Sequence, residues 1–406
     1  MEHLEQYAPI RVVHIYGAEP RSGEGFTLSK LLSHMDRERF EPVILDLSDQ
    51  GLRYEFNPPV KLHRLPIDRD DKTAIRRNTE AVARILREEN PAIVHAWATT
   101  GNYYAAKAVH LSRPIPLDTK LILNVTNPRT CEETPGTEGE LLEKLQASYL
   151  ARFPVRYVYV SEPTREAYRS MRFPTRGQPV LYNGVDTDHF SLTPPVPDIR
   201  AQLGIPQNVP VIGMAARFDY QKDPQGFIGA AAALHRANPQ ARFILCGTGM
   251  APGNKQLMGW LRDAGVDSVF HLLGEQKQME CIYHAADIWT CCSQHEAFGN
   301  VVVEAMACGK PCVVTDAVGA KSFVKDIGEI IPVRDIASRD TAWADMLSKC
   351  WQRMLQRPEA EKQKIAEAGR ERVTSQCGLR QMVTQYEALY DDVLSVNHSK
   401  AVAAAR

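Results

Sequence analysis

The chain has 406 residues, which at about 150 residues per domain predicts roughly two to three domains. Hydrophobic residues make up 44% and charged residues 24%, a composition typical of globular proteins that fold around large cores without disulfides or metals. A formal net charge of -1 argues against a nucleic-acid-binding protein, which normally has a basic excess. The nine cysteines form no C-x-x-C pair and are expected to be buried, reduced thiols of a cytoplasmic protein.

The N-terminal sequence lacks a basic region followed by an apolar stretch, so no signal peptide is expected. No apolar run approaches the length of about 18 residues needed for a membrane-spanning helix. A peripheral contact at the inner face of the membrane stays open. Arg165, Arg169, Arg172 and Arg176 could form a basic edge of the first domain beside Met171 and Phe173, although a solvated helix end is the alternative interpretation.

Short β-branched runs alternate with helical patterns in the first half of the chain. Strands are predicted at 10–16, 41–47, 92–96, 121–126, 157–161 and 179–182, with helices at 28–35, 74–89 and 139–153. Because such alternation requires crossover connections, it predicts an α/β domain with a parallel sheet and helices on both faces.

A proline cluster at Pro194, Pro195 and Pro197 then marks a linker, after which the same rhythm restarts. Strands are predicted at 209–215, 241–246, 269–273, 288–292, 311–315 and 329–332, and helices at 230–237, 278–286 and 301–308. Two open α/β halves with parallel sheets are therefore expected, with a ligand beyond the carboxyl ends of the strands in the cleft between them.

These patterns divide the chain into two Rossmann-like domains, residues 1–190 and residues 191–378. Apolar residues spaced three and four apart predict an amphipathic helix at 379–396 that packs back toward the first domain. Residues 397–406 are expected to form a flexible tail.

The strongest chemical signal is the segment 293–316. A buried strand is followed by a loop that turns at Gly299, and a helix is predicted to start near Asn300. The N–H groups and the dipole of a helix N-terminus favour a phosphate group. Glu296 and Glu304 flank this anion site. A carboxylate beside a phosphate is repelled unless it binds hydroxyl groups, so the pattern indicates a ligand with phosphates between two polyhydroxyl groups. A nucleotide sugar has that layout. Spacing alone leaves open an ordinary helix with solvated glutamates.

The segment resembles the donor-site signature of the family-four retaining glycosyltransferases, with its E-x7-E pair followed by A-M-A-C-G-x-P. Residues 183–190, Arg217 with Lys222, and Gly247-Thr248-Gly249 resemble other motifs of the family, in the same order along the chain. The resemblance implies the GT-B fold, in which two Rossmann-like domains face each other across a central cleft. It implies that residues 1–190 bind the acceptor and that residues 191–378 bind the nucleotide sugar. It also implies retention of anomeric configuration and no metal or other cofactor.

The resemblance assigns the donor site residue by residue. Glu304 is expected to hold the ribose hydroxyls and Glu296 the transferred sugar, while Arg217 and Lys222 clamp the diphosphate, with solvated surface cations as the alternative. Glu296, Arg217 and Lys222 are the expected catalytic residues. The expected donor-binding residues are Gly247, Gly249, Phe298, Gly299, Asn300 and Glu304, although the two glycines Gly247 and Gly249 could also belong to a plain turn.

The acceptor side departs from the family pattern. The glycine-rich turn is expected at Gly23, but the usual glutamate position is Gly25. The histidine that the family places after the strand at 121–126 is replaced by Asn127. His95 is the nearest substitute, although a structural role for a lone histidine at a strand end is the alternative.

The resulting prediction is a retaining, metal-independent glycosyltransferase that moves a hexose-type sugar from a nucleotide diphosphate sugar to a hydroxyl acceptor. A UDP-sugar is favoured over a GDP-sugar, and the acceptor is a glycan, a lipid-linked molecule or a small molecule. A nucleotide-sugar epimerase of the same fold and a catalytically degenerate binding protein remain alternatives. A dinucleotide oxidoreductase is disfavoured because G-x-G-x-x-G is absent, and Asp68-Arg69-Asp70 is read as a charged loop rather than a metal site.

Overall fold

The computed structural model describes residues 8–18, 22–68, 71–111, 118–126, 155–337 and 341–404. The chain divides into two compact units, the first formed by Met1–Gly184 with Leu379–Arg406 and the second by Val185–Gly378. The division falls after Gly184, slightly before the boundary at 190 that the sequence predicts. Each unit contains one six-stranded sheet whose paired strands are all parallel.

The sheet of the first unit has the strand order 3-2-1-4-5-6, which is the order of a doubly wound nucleotide-binding fold. Its strands are β1 (Ile10–Tyr16), β2 (Phe40–Asp46), β3 (Lys61–Arg64), β4 (Ile93–Trp97), β5 (Lys120–Val125) and β6 (Val155–Tyr159). Five of them lie close to the predicted positions.

The predictions were wrong at both edges of this sheet. Strand β3 was missed because it is a mostly exposed edge strand of charged residues, without the apolar run that marks a buried strand. The strand predicted at 179–182 is absent, and only a single bridge joins Tyr159 to Val180. Pro179 has no N–H to donate to a ladder, which limits pairing at this position.

Four described helices of the first unit come before the second unit in the chain. Ser22 caps the first of them, α1, by accepting a hydrogen bond from the Gly25 N–H at 3.1 Å. These helices are α1 (Gly23–His34), α2 (Ile75–Glu89), α3 (Ala98–Leu111) and α4 (Glu162–Ser170). The helix predicted at 139–153 lies outside the described residues.

The second unit repeats the same architecture with a second sheet in the order β12-β11-β10-β7-β8-β9. Its strands are β7 (Val211–Ala215), β8 (Arg242–Cys246), β9 (Phe270–Gly274), β10 (Ile288–Cys291), β11 (Cys312–Thr315) and β12 (Glu329–Ile331). All six strands predicted from the sequence of this half are present. Its helices are α5 (Ile199–Gln202), α6 (Pro224–Ala237), α7 (Lys255–Asp263), α8 (Met279–Ala285), α9 (Asn300–Ala307), α10 (Lys321–Val324), α11 (Ala342–Leu355) and α12 (Glu359–Cys377).

The last helix, α13 (Leu379–Ala404), returns to the first unit and packs against α1. Its apolar stripe, which includes Met382, Tyr386 and Tyr390, joins a buried cluster with Phe40 and Trp97. Burial of these aromatic side chains explains why a helix so distant in sequence belongs to this unit. The helix continues to Ala404, beyond the residue 396 at which the sequence predicts its end.

The structure does not support a basic edge of free arginines beside an exposed aromatic ring in the first unit. Arg165 pairs with Glu162 at 2.6 Å and Arg169 with Glu166 at 3.4 Å. Phe173 is buried against Tyr157 and Tyr168, so its ring is not available to a membrane. Among the residues described by the structure, no helix is both long and apolar enough to cross a bilayer.

All cysteines among the described residues are buried and none forms a disulfide. Burial raises the pKa of the Cys246 and Cys308 thiols to about 12. The described thiols are therefore inert core residues, as the sequence predicts.

Candidate functional site

The candidate site lies in the second unit, at the carboxyl ends of β7 and β10. These parallel strands are neighbours, but the sheet order reverses between them, so their following loops leave toward opposite sides. In open α/β sheets this switch point is where ligands bind. The loop after β7 carries Arg217 and Lys222, and the loop after β10 carries Glu296 and Gly299.

The loop after β7 is held by its own side chains. Asp219 accepts a 2.9 Å hydrogen bond from the Gln221 N–H and opens a short 3-10 turn that ends at Lys222. Arg217 donates to Asp219 over 3.2 Å and to the Gln221 side-chain oxygen over 3.3 Å. The guanidinium of Arg217 therefore stays near the turn with about half of its side chain exposed to solvent.

The two loops are tied together by side-chain and backbone contacts. Lys222 Nζ forms an ion pair with Glu296 Oε2. The Gln294 N–H donates to the Gln221 carbonyl at 2.7 Å, and the Gln221 side-chain amide donates to the His295 carbonyl at 2.9 Å. Only 15% of the Lys222 side chain and 23% of the Glu296 side chain are exposed. A cation and a carboxylate predicted separately from the sequence thus form one contact pair.

Gly299 is the N-cap of α9 and has a φ of 100°. A Cβ atom at this position would approach Val318 Cγ1 to 3.0 Å, and residues other than glycine rarely adopt this φ. The glycine therefore allows the sharp turn between the loop after β10 and the first residue of α9. This agrees with the turn that the sequence predicts at Gly299.

The segment before Gly299 lies against the loop that follows β11. The Glu296 N–H donates to the Ala317 carbonyl at 3.1 Å, and the Gly319 N–H donates to the Glu296 carbonyl at 2.8 Å. The Ala320 N–H donates to the Phe298 carbonyl at 2.6 Å. These hydrogen bonds fix the backbone on which the Glu296 side chain stands.

Phe298 has a structural side chain. Its ring is 2% exposed and packs edge-on against Phe323 at 5.9 Å between centroids. A ring buried in this way belongs to the core, while a donor contact through other atoms of Phe298 stays a prediction. The sequence could not reveal this, because an aromatic residue beside a motif serves equally as a ligand contact or as core.

Glu304 lies inside the unit rather than on a helix surface. It is 7% exposed, and its Oε2 accepts a 2.8 Å hydrogen bond from the hydroxyl of Tyr283 on α8. Burial, followed by the nearby Glu304 carboxylate, raises the pKa of Tyr283 well above its usual value, so this phenol is a donor at neutral pH. The alternative of a solvated glutamate is therefore wrong for Glu304.

Gly247 and Gly249 form the turn after β8, beside the loop after β7. A Cβ atom on Gly247, whose φ is 126°, would lie 2.1 Å from the Ala216 carbonyl oxygen. Gly249 has a φ of 80°, and its Cβ would meet Phe218 at 2.8 Å. Gly247 is required for the close approach of two backbones and Gly249 for the packing of Phe218 against the turn, while a contact of either glycine with a donor stays a prediction.

The acceptor-side residues lie in the first unit. Gly23 is the exposed first residue of α1, and Asn127 lies outside the described residues. His95 is 0% exposed within β4, where its Nδ1 lies 2.9 Å from the Tyr390 hydroxyl and its ring packs on Trp97. A side chain without solvent exposure cannot contact an acceptor, so the prediction for His95 was wrong and its structural alternative is supported.

The structure explains why a glycine stands at position 25. A Cβ there would lie 2.5 Å from the Tyr54 ring and 2.6 Å from the Tyr16 hydroxyl. Sequence reasoning missed Glu24, whose Oε1 accepts a hydrogen bond from the Thr126 hydroxyl. This contact joins the first turn of α1 to the residue that follows β5, immediately before Asn127.

Two Rossmann-like units with the same strand order form the architecture of the GT-B class of glycosyltransferases, and in this chain a cation–carboxylate pair lies at the switch point of the second unit. Residues 195–371 match the family model described as glycosyl transferases group 1, and residues 22–189 match that of glycosyltransferase family 4. The two matches together cover most of the chain, which belongs to the family-four glycosyltransferases.

Two curated relatives illustrate this family membership. A D-inositol 3-phosphate glycosyltransferase from Corynebacterium aurimucosum is 28% identical over 278 residues, which cover 66% of this chain and 63% of the relative. An alpha-maltose-1-phosphate synthase from Mycolicibacterium smegmatis is 29% identical over 225 residues, 53% of this chain and 56% of the relative. The chain therefore spans less than two thirds of the length of these relatives.

The crystal structure of HepE from Anabaena, in complex with UDP and glucose, has the same fold. It matches 94% of this chain and 100% of its own, with a TM-score of 0.75 and 18% sequence identity. At this level of identity the likeness supports the fold alone.

Proposed function

We propose that the protein is a retaining glycosyltransferase that moves a hexose-type sugar from a UDP-sugar to a hydroxyl acceptor. The observation that supports this most directly is the Lys222–Glu296 pair at the switch point of the second unit. In this proposal the cation binds a phosphate and the carboxylate binds sugar hydroxyls, and the two side chains lie in contact beside the N-terminus of α9.

The donor is proposed to bind with its diphosphate toward Arg217, Lys222 and the first N–H groups of α9. Arginine suits a bidentate grip on phosphate oxygens, and lysine supplies a compact charge. Helix N-terminal N–H groups add a fixed positive potential. Glu304, oriented by Tyr283, is proposed to accept hydrogen bonds from the ribose hydroxyls.

In the proposed reaction the bond between the anomeric carbon and the diphosphate oxygen breaks, and the acceptor oxygen bonds to that carbon from the same face. The acceptor proton passes to the departing phosphate oxygen, so the products are a glycoside and UDP. Arg217 and Lys222 stabilise the negative charge of the leaving group as it develops. Glu296 orients the sugar and offsets the positive charge that grows on its ring. No bound metal is required in this proposal.

The comparisons provide support for the choice of substrate. HepE was crystallised with UDP and with glucose, and the curated relatives are named for inositol 3-phosphate and maltose 1-phosphate. A UDP-hexose and a small polyhydroxyl acceptor are therefore the first pair to be examined.

The decisive experiment is a mass-spectrometric screen of UDP-, GDP- and ADP-hexoses with purified protein, with and without polyol and sugar phosphate acceptors. We expect slow release of UDP from one donor alone and faster release with an acceptor, accompanied by a product one hexose heavier. Lys222→Met should slow both by about 10²- to 10³-fold. Release of an epimerised free sugar without transfer would favour the epimerase alternative, and donor binding without turnover would favour the degenerate binding protein.

A further inference from the structure

Asp223, the residue after Lys222, forms a buried bidentate ion pair with Arg334. Arg334 Nε donates to Asp223 Oδ2 at 2.7 Å, and Nη2 donates to Oδ1 at 2.6 Å. Asp223 is 2% exposed, and the Arg334 side chain is 14% exposed. Arg334 follows β12 at the edge of the sheet and lies 111 residues from Asp223. Two parallel N–H···O bonds fix the orientation of a carboxylate as well as its position.

The same carboxylate controls the backbone beside Lys222. Asp223 has a φ of 50°, in the left-handed region, and it is the N-cap of α6, where its Oδ1 accepts a 2.9 Å hydrogen bond from the Gly226 N–H. A left-handed conformation is unfavourable for most residues and persists where the surroundings hold it. Arg334 and the cap therefore hold the chain in this conformation at the point where Lys222 ends its turn.

Lys222 carries its charge at the end of a flexible side chain. The ammonium group can therefore be held in one place only if the backbone of Lys222 is itself fixed. Gln294 adds a contact, since its Nε2 lies 3.4 Å from Asp223 Oδ2 and its N–H bonds to Gln221. The Asp223 carboxylate is therefore linked to both loops of the candidate site.

We propose that Arg334 is a positioning residue that acts through Asp223 to hold Lys222 at the diphosphate of the donor. This inference rests on the proposed function, because it takes Lys222 as a diphosphate ligand. Arg334 touches no donor atom in this account. Its loss should weaken binding of the diphosphate while leaving binding of the nucleoside unchanged.

The test measures the dissociation constants of UDP and of uridine by calorimetry for the wild type and for Asp223→Asn, Arg334→Lys and Arg334→Met. Asparagine keeps the cap and accepts the left-handed φ, so Asp223→Asn removes mainly the ion pair. We expect UDP binding to weaken about 10- to 100-fold, the order of effect of a misplaced reacting group, with uridine unchanged. Arg334→Lys, which keeps the charge, should lie between the wild type and Arg334→Met.

Asp287→Asn is a matched control. Asp287 pairs at 2.8 Å with Arg200, whose side chain is also buried, and it precedes β10 at the amino ends of the strands, whereas Lys222 lies beyond their carboxyl ends. This variant likewise leaves a buried arginine without its carboxylate. It should lower the melting temperature without changing the ratio of UDP to uridine affinity.

Three results would overturn the inference while the proposed function stands. These are UDP affinity unchanged in Asp223→Asn and Arg334→Met, equal weakening of UDP and uridine, and full recovery in the double variant Asp223→Asn/Arg334→Met. Recovery would mean that only the balance of charge matters. If the wild type itself fails to bind UDP, or binds it no better than Lys222→Met, the proposed function fails and the inference fails with it.

Discussion

The hydroxyl of Tyr283 donates a 2.8 Å hydrogen bond to Oε2 of Glu304 and so joins α8 to α9 inside the second unit. Both side chains are buried. A buried carboxylate is costly unless it is hydrogen-bonded, so this contact both stabilises Glu304 and orients it. In the proposed function this oriented carboxylate accepts hydrogen bonds from the ribose hydroxyls.

Glu304→Gln should mainly raise the donor KM. The proposed contact with ribose is the same in the ground and transition states, so its loss removes uniform binding and leaves kcat nearly unchanged. Tyr283→Phe, which keeps the carboxylate and removes only its orienting hydrogen bond, should raise KM less. Steady-state kinetics with varied donor concentration provide the measurement, and a kcat that falls as much as kcat/KM in Glu304→Gln would contradict the assignment.

Glu296→Gln should lower kcat more than it raises KM. In the proposed function the Glu296 carboxylate lies near the sugar ring on which positive charge develops, so the negative charge of Glu296 matters most in the transition state. The variant keeps the size of the side chain but leaves Lys222 without its ionic partner. The same kinetic assay decides the point, and wild-type kinetics in both glutamate variants would exclude a donor site at this motif.

Lys222→Met should reduce turnover at saturating donor by about 10²- to 10³-fold, the usual effect of removing one preorganised electrostatic contact. Arg217→Met should act in the same direction, since both cations are proposed to stabilise the leaving diphosphate. Lys349, an exposed lysine on α11, supplies the control variant Lys349→Met, for which no change is expected. Wild-type turnover in Lys222→Met would show that this lysine is no part of the clamp.

Activity should survive chelation of divalent cations. The proposal assigns charge stabilisation of the leaving group to Arg217, Lys222 and the N-terminus of α9. Turnover measured after dialysis against EDTA should match that of the untreated protein. Loss of turnover that Mn²⁺ or Mg²⁺ restores would indicate a metal-dependent mechanism and direct attention to Asp68 and Asp70.

The buried histidines of the first unit should make its stability fall in acid. Burial lowers the pKa of His14 to about 3, with a smaller effect of Arg37, and burial, followed by His14, lowers that of His95 well below its usual value. As the pH falls below about 6.5, the unfolded chain binds protons that the folded chain does not. The free energy of unfolding should therefore decrease by up to about 1.4 kcal/mol per pH unit for each histidine that stays neutral.

Urea unfolding of the wild type and of His14→Asn between pH 7 and pH 5 measures this effect. The variant should show a weaker dependence on pH because it has one buried histidine fewer. His34→Gln alters an exposed histidine and should keep the wild-type slope. Equal slopes in all three proteins would mean that the buried histidines do not control acid stability.

The sequence alone was sufficient where local pattern carries the information. Each strand of the second unit was predicted because buried parallel strands are short apolar runs bounded by turn residues. Gly299 and the start of α9 could be predicted for a similar reason, since a turn and a helix cap depend on neighbours in the chain. Strand β3, an exposed edge strand, has no such local signal.

Only the tertiary structure decided which side chains meet. Lys222 and Glu296 lie 74 residues apart, and Asp223 and Arg334 lie 111 apart, so no local pattern could pair them. His95 was predicted at an acceptor site as the nearest substitute for a histidine missing from the family pattern, but α13, almost 300 residues later, covers it with Tyr390. Local spacing determines which residues can form a strand or a helix terminus. The crossovers of the two sheets determine which of those termini become neighbours, and thereby which charges can act together.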